Sequence, residues 1–128
     1  MADETLLQQM ATNLRINTRM VLRVLASPDE QRSYEAAVPF VHVPIELFCQ
    51  WAAVYQPGRA PFELAFRPTE HAALAAFNAA FQRASAALPD PMPELETYIA
   101  SAAGVELAHA AAIASRSLGE APDAEPHS

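Results

Sequence analysis

The chain has no lysine, one cysteine, one tryptophan and only three glycines in 128 residues. Each scarcity excludes something. A single cysteine cannot form an intramolecular disulfide framework, so packing must hold the fold. All eight basic residues are arginines against fifteen acidic ones, a formal net charge of -7. That balance leaves no broad positive patch to displace counterions from nucleic acid. Long hydrophobic runs are also missing. The lowest-polarity stretch, Ile99 to Ala114, contains Glu106 and His109 and falls short of a membrane span. The opening MADETLLQQM lacks the basic start and apolar stretch of a signal peptide. The expectation is a soluble, cytoplasmic protein, and arginine without lysine in an alanine- and proline-rich chain fits the codon usage of a GC-rich bacterial genome. With no G-x-S-x-G elbow and no glycine-rich loop to cradle phosphate, the reading is non-enzymatic, with no cofactor.

What the chain does have is helix-forming sequence. Alanine, the best helix former, makes up roughly a fifth of the residues, and eleven prolines fall mostly between periodic segments as punctuation. The length suits one domain, here residues 1–118, with 119–128 (GEAPDAEPHS) as a disordered acidic tail. The expected fold is all-α, a compact bundle of about five helices with a Pro-rich central connector. The first helix runs from Asp3 to Ala26. Ser27 caps a second, with Pro28 in its first position and Glu30 completing a capping box. Phe40 to Val43 reads as an extended connector. Pro44 opens a third helix to about Gln56, and Pro61 to Phe66 forms a short turn. Thr69 caps a fourth helix, Glu70 to Leu88. The fifth runs unbroken from Pro93 or Glu94 to Leu118, with Gly104 inside it to allow close packing.

The stretch from Val38 to Pro68 stands apart. It holds Trp51, Cys49, four of the six phenylalanines and five of the prolines. On the third helix Phe48, Trp51 and Tyr55 share one face, and Leu47 and Val54 extend the apolar arc. A helix apolar over most of its circumference is expected to be central and covered. The functional alternative is a groove for a partner or ligand lined by Phe48, Trp51, Tyr55, Phe62 and Phe66, because tryptophan and tyrosine are enriched at interface hot spots.

Other candidates carry weaker signals. Leu7, Met10, Leu14, Asn17 and Val21 form an a/d seam on helix one. A homodimer through that seam would use Asn17 to fix register, whereas an intramolecular seam would leave it at the rim. Arg15, Arg19 and Arg23 recur every four residues and read as a solvated or salt-bridged stripe. Glu106 and His109 have the Glu-x-x-His spacing of di-metal bundles, but no second copy exists, so no metal site is assigned and Glu106 is expected to be partly buried and to pair with an arginine, for instance from helix one. Cys49 is expected to be a small buried hydrophobe, since no basic neighbour activates it. The function expected from these residues is protein–protein binding, as an adaptor, an inhibitor or immunity-type protein, or an accessory subunit. The alternatives are a small-molecule sensor or carrier with an aromatic pocket, and a metal-dependent enzyme built on Glu106 and His109.

Overall fold

The computed structural model describes residues 2–119, and these are all-α. The helices are α1 (Ala2–Ala26), α2 (Pro28–Ala37), α3 (Val43–Val54), α4 (Ala60–Ala65), α5 (Pro68–Ala87), α6 (Leu95–Ala100) and α7 (Ala102–Ser117). Seven helices replace the expected five for two local reasons. The turn at 61–66 is a short helix, α4. The last helix is broken at Ser101, whose extended backbone ends α6 and begins α7. The Ser101 hydroxyl donates to the Tyr98 carbonyl at 2.7 Å and accepts from the Gly104 amide at 2.9 Å, so it caps both ends of the break. Gly104 is therefore in the first turn of α7 rather than inside a long helix. A Cβ there would fall on the Tyr98 carbonyl oxygen, and only glycine lets the chain turn back so tightly.

The other helix boundaries follow from the same local chemistry. Ser27 Oγ accepts from the Glu30 amide at 3.1 Å, while the Ser27 amide donates to the Val24 carbonyl. Half of the capping box is thus formed, and the other donor is satisfied by α1. The segment between α2 and α3 is a turn closed by Val41 N–H to Val38 O, not an extended connector, and His42 Nδ1 accepts from the Ile45 amide at 3.4 Å as the cap of α3. Pro57-Gly58 makes a tight turn in which Gly58 takes a φ of 89°, a left-handed value that glycine adopts without strain. The cap position of α5 belongs to Arg67 rather than Thr69, because Pro68 suits the first helical position. The expected tail at 119–128 lies, Gly119 apart, outside the described residues.

α3 is covered on only part of its circumference: Ile45, Cys49, Ala52 and Ala53 are exposed, which corrects the expectation of a central helix covered by the others. Leu47 and Trp51 are fully buried with Leu22 and Leu25 of α1, Leu74 and Phe77 of α5 and Leu107 of α7. Each such side chain contributes roughly 1.5–3 kcal/mol by leaving water. The alanine-rich helices α5 and α7 pack on each other with Ala80, Ala84, Ala111 and Ala114 buried, as their small side chains predict.

One ion pair ties this core together. Arg15 of α1 makes a bidentate contact with Glu70 of α5, at 2.8 and 2.9 Å. The same guanidinium donates to the carbonyls of Ala65 and Leu118 and lies 5.6 Å from the centre of the Phe66 ring. Glu70 is 1% exposed and accepts further from the Arg67 backbone amide at 2.9 Å. Hydrogen bonding to Arg15 holds its carboxyl down at about 2, against the penalty of burial. Both oxygens are satisfied, which a buried carboxylate requires. Glu70, in the first turn of α5, is thus a buried clasp joining α1, α4, α5 and the end of α7.

Candidate functional site

The two flanks of α3 differ. On one side the aromatic face is closed. Trp51 is 0% exposed; Phe62 and Phe66 are also buried, and Phe48 and Tyr55 are half-buried. The Trp51 ring stacks on Tyr55 at 5.1 Å and meets Phe77 edge-on at 4.7 Å. Phe48 packs on Phe81, and Phe62 on Tyr55 and Phe66. The indole N–H donates to Asn78 Oδ1 at 3.0 Å, which removes its need for water or a partner. A groove built on Trp51, Phe62 and Phe66 is corrected to core: rings without exposed surface offer a partner nothing to touch in this conformation.

On the other flank an open groove of about 680 Å³ runs between α1, α2 and α3. Its apolar lining includes Val21 and Val24 of α1 and Leu47 and Val54 of α3, and its polar lining includes Asn17, Glu30, Tyr34 and Gln50. Gln50 Nε2 donates to Tyr34 Oη and to Glu46 Oε2, both at 3.3 Å, which fixes α3 against α2. Met20 and Ala53, also lining it, are exposed.

The helix-one seam divides between these environments. Leu7 and Leu14 are half-buried, Val21 is buried, and Met10 and Asn17 are exposed. The outward stripe is instead Leu6, Met10, Asn13, Asn17 and Met20, again spaced by threes and fours; Leu6, Met10 and Met20 are the large exposed hydrophobics on it. The seam found by periodicity is thus correct in pitch but rotated by about one residue, because Leu7, Leu14 and Val21 turn toward the core. Asn17 sits on the groove wall, where its amide keeps contact with solvent.

The remaining candidates are separate from the groove. Glu106 is exposed and 3.5 Å from Arg83 of α5, so its arginine comes from α5 rather than helix one and the expected partial burial does not occur. His109 is exposed, and among the described residues no group of three metal-ligating side chains forms. Of the arginine stripe, Arg15 enters the clasp, while Arg23 is exposed. Cys49 is exposed rather than buried, because it falls on the side of α3 turned away from the core. Phe40, placed only in a connector by its sequence, is the one fully displayed aromatic ring among the described residues, at 87% exposure. Proline and turn residues around it signal a protruding loop, but nothing in periodicity shows that its side chain faces out. Compared with protein families, with curated proteins and with solved structures, the chain matches none.

Proposed function

We propose that this protein acts by binding another protein, through the groove between α1, α2 and α3. The observation that carries this reading is the apolar floor left open beside a filled core, flanked on α1 by exposed Leu6, Met10 and Met20. Methionine side chains adapt to a partner's shape at little cost. An amphipathic helix laid in such a groove presents apolar anchors every three or four residues. Glu30 on the rim, Glu46 beside Gln50 and the chain's net charge of -7 favour a partner whose helix carries basic flanks, and opposite charge speeds encounter.

The test is capture from the native host with the wild type and with Ala53→Arg, which puts a long side chain and a positive charge into the groove. A captured protein should then bind the purified chain with an affinity that falls with salt, and Ala53→Arg should lose it. Light scattering at twice the monomer mass, abolished by Met20→Glu, would transfer the reading to a second copy docking through α1. If the groove variants change neither capture nor mass, the proposal fails. The groove's volume also falls within the range of about 300–1,000 Å³ typical of small-molecule sites, which supports an apolar ligand as the second reading. That reading expects a stabilising thermal shift with an apolar ligand that Ala53→Arg removes.

A further inference from the structure

A second cleft, of about 170 Å³, lies between α1 and α7. Its walls are Ile16, Arg19, Met20 and Arg23 of α1 and Ser115 of α7. Two arginines thus meet at one opening, in a chain with fifteen acidic residues, and no acidic side chain shares the wall. Arg19 and Arg23 are four apart, so they are neighbours on one helix face, where like charges repel each other.

Ser115 is the second feature. It is 8% exposed, and its hydroxyl makes no hydrogen bond among the described residues. Ser117 returns its own hydroxyl to the Ile113 carbonyl at 3.1 Å, the common solution for a serine in a helix. The Ser115 oxygen is also not one of the fully enclosed unpartnered atoms, which are Gln31 Oε1, His42 Nε2 and Tyr98 Oη among the described residues. It therefore keeps an accessible edge, on the cleft that Ser115 lines.

This donor set defines the ligand. A guanidinium presents five N–H donors in a planar fork that matches the edge of a carboxylate or phosphate. Each arginine can hold another acidic group and still offer donors to the cleft. An anion between the two replaces repulsion with attraction, and the Ser115 hydroxyl can donate to it. A cation would be repelled, and a purely apolar body would desolvate charge without pairing it. A cavity of about 150 Å³ is large enough for benzene, so a group the size of phosphate fits.

We propose that the cleft between α1 and α7 binds one oxyanion, held between Arg19 and Arg23 with Ser115 donating from α7. Arg15, one turn earlier on α1, already holds the Leu118 carbonyl at 2.9 Å, so the anion would extend the same α1–α7 contact. Met20 lines both this cleft and the groove, whereas the arginines line only the cleft, so variants at the arginines test this site apart from the groove.

The experiment is titration of the full-length protein with inorganic phosphate at low ionic strength, read by NMR of the arginine Nε–H groups and the backbone amides. Phosphate should saturably shift the Arg19 and Arg23 Nε–H signals and the Ser115 amide. Arg23→Gln, at an exposed position, should weaken phosphate by roughly tenfold or more, and Ser115→Ala by less. A variant carrying Glu120→Gln, Asp123→Asn and Glu125→Gln separates two sources of the oxyanion. Tighter phosphate binding than in the wild type assigns it to those carboxylates of the same chain, and equal binding assigns it to a free ligand. The proposal is overturned if neither protein responds saturably, or if sodium chloride at the same ionic strength reproduces the shifts. It also fails if Arg23→Gln binds unchanged, or if Arg32→Gln, which removes one charge outside the cleft, weakens phosphate equally.

Discussion

The two flanks of α3 are built from one twelve-residue helix, yet one is sealed and the other open. The sealed side carries Trp51, Phe48 and Tyr55, and α4 and α5 supply rings that meet them. The open side carries Gln50 and Ala53, with α1 and α2 standing off to leave the groove. The difference lies in what arrives from elsewhere in the chain. Phe62, Phe77 and Phe81 fill the space beside Trp51, whereas α2 offers Ser33 and Tyr34 and α1 offers Asn17 and Met20. Large rings close one side and small or polar residues leave the other accessible. The aromatic face is thus covered, as the apolar arc of α3 leads one to expect, and only the alternative of an aromatic-lined groove points to the wrong face.

The strongest way to break this comparison is at the indole. Trp51→Ala removes the largest fully buried side chain and leaves Asn78 without its donor. Loss of a buried tryptophan costs about 3–5 kcal/mol, so the urea midpoint followed by circular dichroism should fall sharply, and a domain of ordinary stability would be largely unfolded. A loss below about 1 kcal/mol would mean that the sealed side is not sealed.

The next effect concerns how α1 is held to the sealed side. Glu70 ionises at about 2 in the folded protein, from an ordinary value of 4.5. Its depressed value means that the clasp stabilises fully above about pH 5 and is lost as pH falls through 4.5 toward 2, a contribution on the order of 3 kcal/mol. Glu96 is shifted in the same direction by Arg32 but is fully exposed, so solvent screens it. Glu70→Gln should lower stability at pH 7 and flatten the acid limb between pH 5 and 2. An unchanged acid limb would show that other carboxylates dominate it. The groove flank has no comparable buried ion pair among the described residues, so its variants should leave this limb alone.

How far the sequence foretold this arrangement depended on whether the signal was local. Ser27-Pro28, Pro44 and Pro57-Gly58 mark helix ends through their own backbone chemistry, and each falls at or beside a real boundary, whereas a Thr69 cap puts the start of α5 two residues late, at Glu70 instead of Pro68. The break at Ser101 was readable in principle as a serine cap, but the alanines around it favour continuous helix and mask it. Glu70 looked like any first-turn carboxylate, because its partner lies 55 residues away in α1. The groove was least legible. Valines and alanines that line an opening have the same periodicity as valines and alanines that pack a core, and only the distance between α1 and α3 separates the two.

The smallest expected effect sharpens the comparison most. Ala53 lies two residues from Trp51 on the same helix, is exposed, and lines the groove. Replacing it with leucine adds apolar volume to open space and exchanges one good helix former for another, so neither strain nor propensity should cost much. Stability should change by no more than about 0.5 kcal/mol, against several for Trp51→Ala. If the groove closes in solution, the added side chain has no room, and overpacking should instead cost about 1–3 kcal/mol. Equal damage from both substitutions would make α3 buried all round and remove the site. A near-neutral Ala53→Leu beside a severe Trp51→Ala would establish that this helix separates a closed core from an accessible surface.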